Sequence, residues 1–478
     1  MAGRSCLRVF ILVFLAVLFL PACAGQQLAQ PSSLDEFALQ LDILLPELLQ
    51  KYRVPGVAVA LVQDGQLAWT KGYGLANEEA AIPVTAQTVF QTASISKSIT
   101  AWGVMRLVEA GKIDLDAPVD DYLAHWHLPA SEFGLNGVTV RRLLSHTAGI
   151  VAWNNPGIPV DQTPPTTLDL LSGVHVDHQP GEREKYSNAG YIILQLLIED
   201  VSGQPFANYM QSQVLTPLGM EHSTYQWSPK LGAAMASGYQ LPGRPVVQRI
   251  YPAAAGGLYS TTSDLGTWLA AGMGAPNGHS AGRNVLQTQT VAEMYTTELA
   301  AQKNGNGLGY VIENLPSGKR MLLHSGEIPG WRGQYSALPD QGAGIVLLTN
   351  SDSGGRYVIV DTTCSWIEWA VGEVPEVCQL YRAIYLAIPI LAGIIALGAG
   401  LSLWRWVSQL RAKQWKLAWF PGTDRQRRDF LFSFLAIALW WLFVVPRLGV
   451  LLPPTFLWVT LAFIFWCLVS AAKNLTLS

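Results

Sequence analysis

The sequence predicts an α+β protein: an antiparallel sheet flanked by helices, carrying a mostly helical subdomain, and followed by a three-helix transmembrane region. Three observations predict it. Strand-like runs joined by tight-turn residues occur at two places far apart in the chain, around residues 57–73 and 334–349. The tract between them is polar, rich in Pro and Gly, and has no long alternating strand. The last hundred residues turn strongly apolar, in three stretches of spanning or near-spanning length.

In chain order, Arg4 and Arg8 precede an apolar run at residues 9–20 that ends in small residues, the layout of an export signal over residues 1–25. Leu20-Pro21-Ala22-Cys23 resembles a bacterial lipobox, in which Cys23 becomes the lipidated first residue. Ala22-Cys23-Ala24 also fits plain cleavage, and retention as a simple anchor is a third outcome. A catalytic domain is expected over residues 30–372. Ser32, Ser33, Asp35 and Glu36 form a helix-start signature for an amphipathic helix over 34–49, ended by Pro55. Residues 57–62 and 66–73 read as strands joined at Asp64-Gly65, which supplies the positive φ of a primed turn. A helix is expected from the Ser94 region to Glu109, stopping at Gly111. The helical subdomain occupies about 113–250, a second hairpin covers 334–338 and 344–349, and a helix covers 357–371.

The tail, residues 379–478, holds apolar stretches at about 381–403, 429–446 and 454–472. Arg405, Arg411, Lys413, Lys416, Arg425, Arg427 and Arg428 lie between the first two, while Arg447 alone lies between the second and third. The positive-inside rule makes the basic loop cytoplasmic. The catalytic domain is then expected on the outer face of a bacterial cytoplasmic membrane and the C-terminus in the cytoplasm. Membrane lipid is thus an expected partner. Ala392, Ala396 and Gly400 form a small-residue face that a neighbouring helix can approach.

A net charge of -3, a pI near 6.3 and no basic patch interleaved with aromatics exclude a nucleic-acid partner. Five cysteines are too few for a disulfide scaffold. Cys364 and Cys378 are the only pair in the exported part, readable as a bridge or as two thiols. The histidines show no ligand spacing with Cys or acidic partners, so no metal or other cofactor is expected.

The chemistry centres on Ser94-Ile95-Ser96-Lys97. Three positions apart on a helix, the two outer side chains share one face, and the amine can take the hydroxyl's proton. The spacing alone proves little, because Ser470 and Lys473 repeat it at the end of an apolar segment, where Lys473 serves as a membrane-surface anchor. Further stretches line up with Ser94: Pro180-Gly181 ahead of Tyr186-Ser187-Asn188, and His324-Ser325-Gly326. Leu143-Leu144-Ser145-His146-Thr147-Ala148-Gly149, Pro217-Leu218-Gly219-Met220 and Ala255-Gly256-Gly257-Leu258 agree with them.

Together these motifs resemble the serine β-lactamase and penicillin-binding-protein superfamily, in its class C-like branch, over roughly residues 35–370. The resemblance implies a β-lactamase/transpeptidase-like fold and an acyl-enzyme mechanism. Ser94 is the implied nucleophile, and Lys97 and Tyr186 move the protons. The phenol and the amine are expected to tune each other: an ammonium beside the phenol favours phenolate, and a desolvated amine favours its neutral form. Asn188 is implied to bind the substrate amide, although its position also suits a helix cap. The backbone N–H groups of Ser94 and Glu327 make the implied oxyanion hole, alongside His324, Ser325 and Gly326. A rival reading makes His146 the base of a Ser-His triad; its place at the end of a packed helix favours structural support instead.

His324 stands where β-lactamases and transpeptidases of the superfamily commonly carry Lys, which disfavours efficient β-lactam hydrolysis. A class A mechanism is disfavoured because no Ser-Asp-Asn motif is present. The layout of an exported domain followed by three spans resembles the membrane-bound prodrug-activating peptidases. The expected function is a membrane-anchored serine hydrolase acting on a small-molecule or peptide substrate, an amide, D-amino-acid-containing peptide or ester. The alternatives are a true β-lactamase, a D,D-carboxypeptidase or a non-hydrolytic penicillin-recognising sensor.

Overall fold

The computed structural model describes residues 31–151, 156–241, 243–275, 279–299, 304–412, 416–417, 421–444 and 456–477. The export signal with Cys23 lies outside the described residues. The chain divides into a unit spanning residues 31–375 and a C-terminal unit from 376 onward.

The first unit opens with helix α1, Leu34–Tyr52, whose Ser33 side chain caps the Glu36 N–H. Arg53, in the left-handed region at φ 54, ends it two residues before Pro55. Strands β1, Gly56–Gln63, and β2, Gln66–Asn77, follow, and a short β3 covers Ile82–Pro83. Asp64 and Gly65 both have positive φ, 52 and 65, as a primed hairpin turn requires. Helix α2, Ser96–Glu109, ends ahead of Gly111 at φ 66. Helices α3, Asn188–Ser202, and α4, Thr262–Ala271, belong to the long insertion. The chain then returns to the sheet as β4, Gly305–Asn306, β5, Val311–Asn314, β6, Arg320–Ile328, β7, Trp331–Leu338, and β8, Ala343–Thr349, before helix α5, Gly355–Val371.

The eight strands form one sheet in the order β4-β5-β6-β7-β8-β1-β2-β3, with antiparallel neighbours. The join is β1 against β8, Val57 opposite Thr349 and Val62 opposite Gly344, so the two ends of the domain close one sheet around the insertion. Strands β4 and β5 are additions to the sequence reading. Their Gly- and Asn-rich residues carry no alternating signal, and β5 joins the sheet through its ladder with β6, Val311 opposite Leu323.

In the C-terminal unit, helices α6, Glu376–Arg411, and α8, Phe456–Lys473, are the two long and apolar enough to cross a membrane among the described residues. The expected middle span, 429–446, falls on helix α7, Asp424–Leu439, continued by a wider turn over Trp440–Val444, and its end lies outside the described residues. Its first turn is charged, and the apolar part from Phe430 to Val444 reaches ~22 Å against a hydrocarbon core of ~30 Å. The expected small-residue face also shifts. Ala392 and Ala399 are buried, with Ile395 packed against the cluster at Phe456, Val459 and Ala462, whereas Gly400 has no neighbour on its side-chain position and Ala396 is exposed. Helical periodicity of 3.6 selects this set over strict four-residue spacing. Cys364 and Cys378 are both disulfide-bonded, and Cys467 is free.

Candidate active site

Ser94 lies in a short 3-10 turn, Ala93–Ile95, just ahead of α2, and the turn is fixed from both sides. Phe90 and Gln91 pair with Ser260 and Tyr259, and the Thr92 N–H donates to the Leu258 carbonyl. The Ser96 hydroxyl donates to the Ala93 carbonyl at 2.6 Å and accepts from the Leu258 N–H at 3.0 Å. Ala93 takes φ 49, a costly conformation for a residue with a Cβ, which this clamp sustains. On the other side runs β6. A Cβ on Gly326 would stand 2.1 Å from the Thr92 carbonyl oxygen, so glycine at 326 lets the strand lie against the nucleophile turn.

Lys97 is fully buried, and its amine reaches Ser94 Oγ at 3.2 Å, Asn188 Oδ1 at 2.8 Å and the Ala255 carbonyl at 2.5 Å. All three partners are uncharged. Burial without a counter-charge holds the ammonium well below its ordinary 10.5, which favours the free amine. Tyr186 donates its hydroxyl to Ser94 Oγ at 2.8 Å. The residue is 43 % exposed, yet desolvation by the surrounding protein pushes the phenol up to about 12 despite the hydrogen bond to Ser94. Of the two expected states burial favours the neutral amine over the phenolate: Lys97 moves toward neutrality and Tyr186 keeps its proton. In that state the Ser94 O–H can face the amine lone pair while Tyr186 donates to the same oxygen.

The Tyr186 loop is clipped to the segment after the short helix Val140–Leu144. The Lys185 N–H donates to the His146 carbonyl at 2.8 Å and the Ser187 N–H to His146 Nδ1 at 3.2 Å. The His146 ring lies 4.4 Å from the Tyr186 ring. An Nδ1 that accepts leaves the proton on Nε2, and burial beside Lys97 and His324 keeps His146 neutral, well below 6.5. His146 thus contacts the tyrosine and not Ser94, which removes the triad reading. Ser187, not Asn188, caps α3 through its side chain on the Gly190 N–H, leaving Asn188 turned to Lys97 and the cleft.

His324, on β6, donates from Nδ1 to the Ser325 carbonyl at 2.8 Å, and burial together with Lys97 lowers it to about 4. It is neutral at pH 7 and supplies no fixed charge. Ser325 is exposed, and Glu327 is ion-paired with Arg332 across the β6–β7 ladder. Ser94, Asn188 and Glu327 line a cleft of about 190 Å³, whose other walls include Tyr251, Pro252 and Pro329. The sequence reading missed these walls and the Ala255 carbonyl. A backbone carbonyl has no residue signature, although the Ala255-Gly256-Gly257-Leu258 match marks its place. The second Ser-Lys spacing makes no such site: the Ser470 hydroxyl donates to the Trp466 carbonyl and Lys473 bonds to Ser402.

A serine turn held between a helical insertion and an antiparallel sheet, with Lys and Tyr meeting on one serine oxygen, is the layout of a beta-lactamase-like fold. Residues 41–363 match the beta-lactamase family, and the chain belongs to it. It is 26% identical over 326 residues to protein flp of Staphylococcus aureus, covering 66% of this chain and 63% of that protein. It is 28% identical over 341 residues to the unguisins hydrolase ungD' of Aspergillus campestris, covering 66% and 62%. The octameric penicillin-binding protein homologue from Pyrococcus abyssi is similar at TM-score 0.62 and 27% identity, over 73% of this chain and 81% of that one. The chain thus spans under two thirds of the length of the curated relatives it matches.

Proposed function

We propose that the protein is a membrane-anchored serine hydrolase of the class C-like branch, acting through an acyl-serine on a small amide, peptide or ester outside the cytoplasmic membrane. The observation that carries the reading is the convergence of Lys97 Nζ and the Tyr186 hydroxyl on Ser94 Oγ, at 3.2 and 2.8 Å. Neutral Lys97 accepts the Ser94 proton as the oxygen attacks the substrate carbonyl, and the negative charge collects on an oxygen facing the N–H groups of Ser94 and Glu327. Tyr186 relays a proton to the leaving group. Asn188, held by its Oδ1 on Lys97, orients the substrate amide. Water then attacks the acyl-serine by the reverse route.

Neutral His324 in place of a lysine favours peptide, amide or ester substrates over β-lactams, and the hydrolase name of the fungal relative agrees with turnover. A D-amino-acid-containing peptide fits the layout shared with prodrug-activating peptidases. The sensor reading is weaker, because the basic segment between α6 and α7 is too short to hold a signalling domain. The test is labelling of the full-length protein with a fluorophosphonate and with a fluorescent penicillin. Labelling is expected on the wild type and absent in Ser94→Ala; an alanine variant that labels at full intensity removes Ser94 as nucleophile. A label that decays marks a hydrolase, and one that persists marks a sensor.

A further inference from the structure

We propose that a hollow adjoining the catalytic cleft and lined by Arg244 and Arg249 is a substrate subsite for a carboxylate next to an apolar side chain, the C-terminal end of a short peptide. The proposal rests on the reading of Ser94 as nucleophile and adds the substrate class.

The hollow, about 480 Å³, is walled by Pro156 and Pro329, which also wall the catalytic cleft. A substrate seated over Ser94 therefore has a continuous path past these two prolines. Beyond them stand Val246 and Val247, the latter 67 % exposed, beside the two guanidinium groups. An exposed valine wall next to two cations suits a ligand with an apolar group flanking a negative one.

Arg249 is held in place. Its residue pairs with Pro159 in a two-stranded ladder, and its guanidinium donates to the Gly157 carbonyl at 2.8 Å. Two residues on, Tyr251 turns into the catalytic cleft, so this segment supplies one wall residue to each chamber. Gly157 makes the packing possible, because a Cβ there would stand 2.7 Å from the Tyr251 ring. Arg244, on the neighbouring hairpin, is exposed.

Charge separates the two chambers. Glu327 is the one Asp, Glu, Lys or Arg lining the catalytic cleft among the described residues, and buried Lys97 and His324 lean to their neutral forms. Among the described residues no Asp or Glu lines the hollow. Two carboxylates touch its hairpin from outside the lining, Glu78 accepting from the Gly243 N–H and Asp352 from the Gln240 amide. Glu327 is compensated by Arg332, so the cleft offers a substrate carboxylate no free cation, whereas the hollow offers two forked donors.

The test uses full-length Ser94→Ala in detergent, which binds without turnover. The probes are N-dansyl-Ala-Ala-Leu, in L and D series, with a free C-terminal carboxylate or as the C-terminal amide, and an amidated N-dansyl-Ala-Ala-Asp. Fluorescence titration is expected to give about tenfold tighter binding of the free acid than of its amide. Arg244→Gln is expected to remove most of that preference and Arg244→Gln/Arg249→Gln all of it, with amide affinity unchanged; Arg249→Lys retains it. Arg244 is exposed, so its single variant carries the test if the double variant unfolds. Equal binding of acid and amide, a preference that survives the double substitution, or no binding of any peptide overturns the subsite. Tight binding by the amidated Asp peptide alone overturns the chain-end assignment. Wild-type labelling by fluorophosphonate reads the nucleophile separately, so labelling without acid preference sinks the subsite and leaves the hydrolase standing.

Discussion

Three nitrogen bases, Lys97, His146 and His324, sit buried close together, and burial pushes all three toward their neutral forms, with neighbouring charge adding to the shift of the two histidines. For Lys97 that shift makes a base. Lys97→Ala and Tyr186→Phe are each expected to lower kcat/KM by ~100-fold or more, read from initial rates on an ester or peptide substrate. Lys97→Arg should not restore the rate, since guanidinium keeps its proton. A base with a lowered folded value is active above that value, so kcat/KM should rise with pH, level off well below 10.5, and hold until Tyr186 ionises near 12. A profile still rising at pH 10.5 assigns the base elsewhere. At this scale the Ser94–Lys97 pair was legible because a spacing of three needs only local helical geometry. The Ala255 carbonyl and Tyr251 were not, because they reach the site through an ordering of distant segments.

At the scale of elements, the site depends on how closely β6 can lie against the nucleophile turn. Gly326→Ala places a Cβ 2.1 Å from a backbone carbonyl, which no side-chain rotation relieves. The substitution is expected to cost ~2 kcal/mol or more in denaturant unfolding and to slow Ser94 labelling, because the strand must retreat from Thr92. Unchanged stability and labelling would show the contact to be dispensable. The helices and hairpins that were legible, α1, α2, the β1–β2 hairpin and the β7–β8 hairpin, announce themselves by caps, turn residues and periodicity. Strands β4 and β5 lacked such marks. The middle apolar stretch of the tail falls on α7, whose charged first turn is closed by a Thr423–Gln426 capping box.

Across the whole molecule, the buried neutral histidines tie stability to pH. His324 titrates near 4 when folded and near 6.5 when unfolded, so between those values the unfolded chain binds the extra proton. Stability is therefore complete above 6.5 and falls as pH drops toward 4, by up to roughly 3 kcal/mol for this one group. Thermal unfolding of His324→Asn should show a flatter acid limb than the wild type; parallel limbs would remove His324 from the linkage. Under the proposed membrane anchoring, reporter fusions in the basic segment near Arg428 are expected to report the cytoplasm and those after Val371 the outer face. The opposite pattern overturns the orientation.

By itself the sequence determined the Ser94–Lys97 pair and the motifs around it, the two-ended sheet and the apolar tail, because each rests on spacing, turn chemistry or local composition. Tertiary structure alone decided their electrical state. Whether Lys97 is an ammonium or an amine, whether Tyr186 keeps its proton, and whether His324 can stand in for a lysine depend on desolvation and neighbouring charge. Those are properties of the enclosed space that residues far apart in the chain create only when β1 and β8 close the sheet around them.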